Sequence, residues 1–461
     1  MTEGAPGRTW PWIVTAILLL VVGAGRMPLL DPDEGRFASA SVRMTQTGDP
    51  IVPEFNGEPR LNKPPLIYWL QAASFTLLGV NETAARVPSL LAAIGTILLV
   101  ALWAKRRLPT GSAATAAMAL ATTPLFFACA RIGITDMLLT LWITAALILW
   151  HEAIGRPDRV TRRPIAFAAS LACGLAVLTK GPVGMLLPAV VIGLTAAMAR
   201  HPGMITLRGA GTAAAGILMV VGPWASALAG RIGLPEAIAI LEKESIDRVV
   251  SGIDHARPFY YTFASFAVTF LPWSAMAPVA LLRGTRQGDA RFLAIWFAAV
   301  MLFFSIPAEK NDAYILPAAP PLALLIALTL RHRLVLGIAR VAALVLIGVA
   351  LLALGPIGER RSLAEAVRTA GLRDRPGCVL LSYKLERPSL VFYSGREVRW
   401  VRRSEDLWRI VEAGRAMDMA IVADDRRMER ENLREALSAA GFAIVGGQPG
   451  FAVFFRAGQP P

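Results

Sequence analysis

Histidine and cysteine are scarce in this chain, at four and three among 461 residues. Cys129 and Cys173 lie in or beside apolar runs, and Cys378 stands alone near the C-terminus. Neither a metal-ligand spacing nor a disulfide framework can be read from them, so they say nothing of the compartment. Charge is also scarce: 17% of residues are charged and 55% hydrophobic, with a mean hydropathy of +0.52. That balance excludes a disordered chain and argues against a soluble globular one. Repeated apolar runs of roughly 18–20 residues instead mark a polytopic α-helical membrane protein. Acids are outnumbered 33 to 47, for a net charge of +14. Such basicity suits nucleic acid when it forms one continuous patch. Here it falls in short clusters between apolar runs, where it sets membrane orientation, so no nucleic-acid partner is expected.

About eleven apolar spans can be read, at 10–30, 87–104, 113–130, 134–150, 164–179, 183–199, 210–229, 261–282, 292–306, 313–330 and 334–354. The first follows Arg8 and ends at Gly25-Arg26-Met27-Pro28, a poor cleavage site, so a retained helix is expected rather than a cleaved signal. Alternate loops are basic: Lys105-Arg106-Arg107, then Arg156 to Arg163, Arg200 and Arg208, Arg283 to Arg291, Arg331 and Arg333. The intervening loops hold nearly all the carboxylates. This alternation predicts a cytoplasmic N-terminus and an extracytoplasmic C-terminal segment. From residue 356 to 461 the composition becomes mixed. Runs at 378–382, 389–393, 419–423 and 451–455 read as strands, and 362–370, 405–413 and 429–440 as helices. They predict a small soluble α/β domain after a membrane domain of residues 1–355, with no glycine-rich phosphate loop.

The first outer loop, residues 31–85, is the longest polar segment of the membrane part. It concentrates Asp31, Asp33, Glu34, Arg36, Arg43, Asp49, Glu54, Glu58, Arg60 and Lys63 beside an apolar span. A helix starting near Glu34, with Asp33 as its cap, is expected to run to Gly48-Asp49-Pro50. A second starts at Pro64-Pro65 and stops at Gly79; both suit the membrane interface. Asp31, Asp33 and Glu34 crowd three carboxylates into one turn, which raises at least one pKa and suits a general base; a helix cap with interfacial charges is the plainer alternative. Elsewhere Arg131 and Asp136 stand in ARIGITDM, Lys180 in TKGPVG, and Glu309, Lys310, Asp312 and Tyr314 in EKNDAYILP. Each alone reads as an interfacial anchor. Together, Lys63, Arg131, Lys180 and Lys310 fall on one membrane face and predict an anion site. His151, His201 and His332 belong to the cytoplasmic side. Only His255 shares a side with the acids, a weak candidate for a divalent cation.

Six blocks in order carry a resemblance: DPDEGRFA, VPEFNGEPRLNKPPLIYWL, NETAARVPSLL, ARIGITDM, LAVLTKGPVGMLLP and EKNDAYILP. They resemble the bacterial polyprenyl-phosphate-sugar glycosyltransferases, with the aminoarabinose transferase of lipid A modification as best-known member and protein O-mannosyltransferases as more distant GT-C relatives. The resemblance implies an inverting transfer on the outer face of the cytoplasmic membrane. The donor would be a sugar on polyprenyl, expectedly undecaprenyl, phosphate, and no nucleotide cofactor is needed. The acceptor stays open among a lipid, a glycan and a protein, and a divalent cation is left open. By motif, Asp33 and Asp136 would be the two acids, with Glu34 beside the first. Lys63 would bind the carrier phosphate, with Arg131, Lys310 and Tyr314 as neighbouring donors and Lys180 close by. Two departures stand out: Asn62 replaces the acid that usually precedes Lys-Pro-Pro, and Asn311-Asp312 replaces the commoner Leu-Pro. A transporter, flippase or binding protein for lipid-linked sugar is the reading from another class. A transporter would place ionisable residues near the bilayer midplane, whereas these spans keep charge at their ends.

Overall fold

Apolar runs become helices throughout the N-terminal part of the computed structural model, which describes residues 9–156, 158–198, 207–242, 257–284, 288–352, 354–360, 362–375 and 377–458. Helix α1 (Thr9–Val21) leads into a polar loop. That loop holds α2 (Asp33–Thr47), the antiparallel pair β1 (Glu54–Phe55) and β2 (Glu58–Pro59), and α3 (Leu66–Leu78). Then come α4 (Glu82–Arg107), α5 (Ser112–Ala121), α6 (Pro124–Ala130), α7 (Thr135–Ile154), α8 (Arg159–Lys180), α9 (Val183–Met198), α10 (Leu207–Ile232) and α11 (Leu234–Glu242). After them stand α12 (Tyr261–Thr269), α13 (Trp273–Gly284), α14 (Gly288–Phe303), a 3-10 helix (Asp312–Ala318), α15 (Ala319–Thr329), α16 (His332–Leu352) and α17 (Leu354–Arg360).

All eleven expected spans contain helix, but their lengths differ. Among the described residues, six helices are long and apolar enough to cross a bilayer, and up to eight if α5 with α6 and α12 with α13, bent by 70° and 109°, each count as one span. Helices α1, α9 and α14, of 13, 16 and 16 residues, fall short of the roughly 20 needed for an untilted crossing. The chain is a multi-pass membrane protein; the count of eleven is not established. Asp33 does not cap α2 as expected. It is the first helical residue, Pro32 occupies the cap position, and no side chain accepts a capping hydrogen bond there. Helix α3 starts after Pro65 and stops at Gly79, within a residue of the expected limits.

The C-terminal residues form α18 (Ala364–Thr369), β3 (Val379–Tyr383), α19 (Pro388–Ser394), β4 (Arg399–Val401), α20 (Ser404–Ala413), β5 (Met419–Asp424), α21 (Asp425–Arg430), α22 (Leu433–Ala439), β6 (Ala443–Gln448) and β7 (Phe451–Arg456). The five strands order β4-β3-β5-β7-β6, with β4, β3 and β5 parallel and β7 antiparallel to both its neighbours. Side chains alternate across β3: Leu380 packs in one apolar layer, Leu381 and Tyr383 in the other, so both faces are covered. The run 389–393 is helix, not strand. Pro388 starts it, and Gly395, at φ 68°, ends it in the left-handed region that glycine enters without steric cost. This domain docks on the first loop. Asn56 Nδ2 donates to the Val398 carbonyl at 2.8 Å, and the Val398 amide donates back to Asn56 Oδ1 at 2.7 Å. Tyr393 Oη accepts from the Leu29 amide at 2.8 Å and donates to Glu82 at 2.9 Å.

Candidate active site

Two buried polar centres organise the end of the bundle that carries the first loop. The first joins Glu34, at the start of α2, to Arg86, one turn into α4. Their ion pair closes at 2.7 Å with both side chains essentially inaccessible. Glu34 Oε1 accepts from Arg86 Nε and from the Gly133 amide at 2.8 Å; Oε2 accepts from Arg86 Nη2 at 2.9 Å and from the Leu30 amide at 2.9 Å. Arg86 spends its remaining donors on the carbonyls of Ala24, Met27 and Pro28. All five of its N–H groups are thus used, which is what a buried guanidinium requires. The centre ties the end of α1, α2, α4 and the turn before α7 together. Gly133 is needed for the close approach, since a Cβ there would stand 2.6 Å from the Ala85 carbonyl oxygen. Beside it, Gln71 of α3 donates to the Ala85 carbonyl at 2.8 Å and accepts from Ser41 at 2.9 Å.

The second centre arises because α7 and α8 are consecutive antiparallel neighbours. The N-terminus of α7 and the C-terminus of α8 therefore lie at one end. Asp136 sits in the first turn of α7 and Lys180 in the last turn of α8, each complementing its helix dipole. Lys180 Nζ meets Asp136 Oδ1 at 2.5 Å and lies 4.2 Å from the centre of the Tyr314 ring. Tyr314 Oη in turn donates to Glu309 at 3.0 Å. Lys63 arrives from the first loop: Lys63 and Lys180 line one cavity of about 90 Å³ with Asn62, Pro64, Pro182 and Trp224. Tryptophans hold that loop in place, with Trp224 Nε1 donating to Ile51 O at 3.0 Å and Trp69 Nε1 to Pro50 O at 2.7 Å. Among the described residues, Asn62 Oδ1 is buried without a hydrogen-bond partner. Leu61, Asn62 and Ile240 also line an adjoining cleft of about 520 Å³ that holds Glu58, Arg60 and Glu236.

The structure thus brings together Lys63, Lys180, Asp136 and Tyr314, and separates others expected with them. Arg131 is 5% exposed and donates through Nη2 to the Leu19 and Val22 carbonyls, stacked 4.1 Å from the Phe127 ring; it lines a different cavity. Lys310 is buried and donates to the carbonyls of Arg257 and Pro307. Both ammonium and guanidinium are turned to backbone oxygens, so neither reaches the Lys63 cavity. Glu34 has all its acceptor positions filled, which leaves it nothing to offer a reacting proton. Asp33 is exposed, with Arg36 at 4.0 Å. His255 lies outside the described residues. Among the described residues, no three of His, Cys, Asp and Glu converge as metal ligands. The cavity presents two ammonium groups and an amide, and the Asp136 carboxylate behind Lys180 is already paired with it, a set that suits an anion rather than a divalent cation. Arg86 was the residue sequence reading passed over. Its signal was a lone arginine inside the apolar-flanked block NETAARVPSLL.

Asp31 belongs to the docking surface rather than to catalysis. Its Oδ1 accepts the Ser389 amide at 2.6 Å and its Oδ2 the Ser389 hydroxyl at 2.5 Å. Burial pushes its pKa up to about 6, against the opposing pull of those hydrogen bonds and of Arg387 and Arg36. A carboxyl with a raised folded pKa stabilises the fold fully below its unfolded pKa and loses that contribution as pH rises through the folded value. We expect the melting temperature of the purified protein to carry a component that declines between about pH 4 and pH 7. Asp31→Asn, neutral throughout, should lose that component in melting scans; an identical profile in the variant removes Asp31 as its source.

Residues 62–226 match the family described as dolichyl-phosphate-mannose-protein mannosyltransferase. The chain is 33% identical to the undecaprenyl phosphate-alpha-4-amino-4-deoxy-L-arabinose arabinosyl transferase of Pectobacterium carotovorum, over 68% of this chain and 57% of that one. It is 31% identical to the transferase of the same name from Pseudomonas aeruginosa, over 76% of this chain and 65% of the relative. The chain thus spans about three-fifths of the length of such curated relatives. Its fold superposes on the crystal structure of ArnT from Cupriavidus metallidurans bound to undecaprenyl phosphate, with a TM-score of 0.83 and 21% identity, covering 99% of this chain and 100% of that one.

Proposed function

Because the chain belongs to the GT-C family of polyprenyl-phosphate-sugar glycosyltransferases, we propose that it transfers a sugar, with inversion, from a polyprenyl phosphate carrier to a lipid, glycan or protein acceptor. The observation that carries this reading is the meeting of Lys63 and Lys180 in one small cavity, from motifs far apart in sequence. The names of the relatives support undecaprenyl phosphate as the carrier. Charge alternation between loops supports a cytoplasmic-membrane location with the site and the C-terminal domain extracytoplasmic.

In the reaction the C1–O bond to the carrier phosphate breaks, and the phosphate keeps the electron pair. An acceptor oxygen attacks C1 from the opposite face. Lys63 would bind the departing phosphate, and Lys180, held by Asp136 and the Tyr314 ring, would keep positive potential behind it. Asp33, exposed at the start of α2, would take the proton of an acceptor hydroxyl or orient an acceptor that is already ionised. The residue before Lys63 is Asn62, a neutral amide, so this position offers no carboxylate to a divalent cation.

The test is transfer by the purified protein from polyprenyl-phosphate sugars to candidate acceptors, read by mass spectrometry. Asp33→Asn is expected to lower turnover about a hundredfold with a hydroxyl acceptor. Equal turnover by the variant removes Asp33 from the reaction. If no donor supports transfer while carrier lipid still binds, the protein is a flippase or binding protein for lipid-linked sugar.

A further inference from the structure

A cavity of about 430 Å³ lies between the C-terminal halves of α1 and α16 and shares no residue with the Lys63 cavity. Its wall is apolar. Leu18, Val22 and Leu351 line it and are 53%, 64% and 63% exposed, so it opens sideways onto the face a bilayer would cover. At one end it meets Arg26, which is exposed, and Arg131, which is 5% exposed.

Arg131 is the anomaly. Among the described residues its Nε is buried without a hydrogen-bond partner, and no carboxylate lies within ion-pair distance of it. Arg86, one turn into α4, shows what full compensation looks like here: five donors used and a bidentate carboxylate. A buried cation at a membrane helix end, lacking a counter-charge, marks a binding site by default, because desolvation is repaid only when an anion arrives. Two carbonyl bonds orient Arg131 but leave its charge unneutralised.

We propose that this cavity holds one anionic phospholipid of the surrounding bilayer. An acyl chain lies along Leu18, Val22 and Leu351, and the phosphate sits at Arg26 and Arg131. Charge complementarity selects the headgroup, and the apolar wall selects a lipid over free phosphate. The site is separate from the carrier-phosphate cavity, and Arg131 serves it rather than the sugar donor.

Native mass spectrometry of the full chain, purified and exchanged into micelles of phosphatidylglycerol and phosphatidylcholine, tests this directly. One phosphatidylglycerol should be retained in preference to phosphatidylcholine by about tenfold or more, the worth of a charge-assisted contact. Arg26→Gln should lower that preference several-fold. Ile347→Trp, which fills the cavity, should evict the lipid while Lys63 and Lys180 stay untouched. Inorganic phosphate should not compete. Equal retention of both lipids by the wild type overturns the proposal. So does undiminished phosphatidylglycerol binding in both variants, or displacement of the lipid by inorganic phosphate alone.

Discussion

Replacing Lys63 by glutamine is expected to lower kcat for sugar transfer by about 10²- to 10³-fold, the usual consequence of removing one preorganised donor from a developing anion. The phosphate oxygen gains charge as its bond to C1 lengthens, so the ammonium helps the transition state more than the ground state. Lys63 is the cleaner of the two lysines to test. Lys180 is held by Asp136 at 2.5 Å, so removing it also strands a buried carboxylate. Lys63 Nζ donates to its own neighbour's carbonyl, Asn62 O, at 3.0 Å, a contact glutamine can approximate without the charge. Steady-state kinetics with a polyprenyl-phosphate sugar decide the matter. A fall in kcat with little change in KM is the expected pattern. A raised KM with kcat unchanged would mean that Lys63 only grips the carrier, and would move leaving-group stabilisation elsewhere.

What the sequence disclosed follows from how local each signal is. Apolar runs and the charges between them are local, so the helical membrane part and the first loop were legible, as were the limits of α3 at Pro65 and Gly79. Lys63, Lys180, Asp136 and Tyr314 were legible because motifs in register marked them, although their meeting depends on the antiparallel pairing of α7 and α8. Direction was not legible. Arg131 and Lys310 occur in the same motifs, but backbone carbonyls captured them, at the end of α1 for Arg131 and in the loops at Arg257 and Pro307 for Lys310, and no sequence pattern reports where a long side chain turns. The run 389–393 was misread because its apolar stretch fits a strand as well as a buried helix; Pro388 and Gly395 decide for helix. Span number was not legible for a related reason. Apolar runs do not show where a helix bends, as at α5–α6 and α12–α13, or stops short, as in α1.

The same question of role separates Glu34 from Asp33, which share one turn of sequence. Glu34→Gln is expected to destabilise the protein by about 3–5 kcal/mol, because it leaves the Arg86 guanidinium buried without its counter-charge. The amide would also present an N–H toward the Gly133 or Leu30 amide, each of which now donates to a Glu34 oxygen, so one donor would face another. The damage should spread, since Arg86 binds the carbonyls of Ala24, Met27 and Pro28 and thereby fixes the chain leaving α1. Melting of the detergent-purified variant should show the loss, and Glu34→Leu combined with Arg86→Met should recover part of it, since removing both charges removes the stranded one. A catalytic Glu34 predicts the opposite: Glu34→Gln would melt like the wild type and lose turnover. Finding that pattern would return the general base to Glu34 and leave Asp33 as a surface charge beside Arg36.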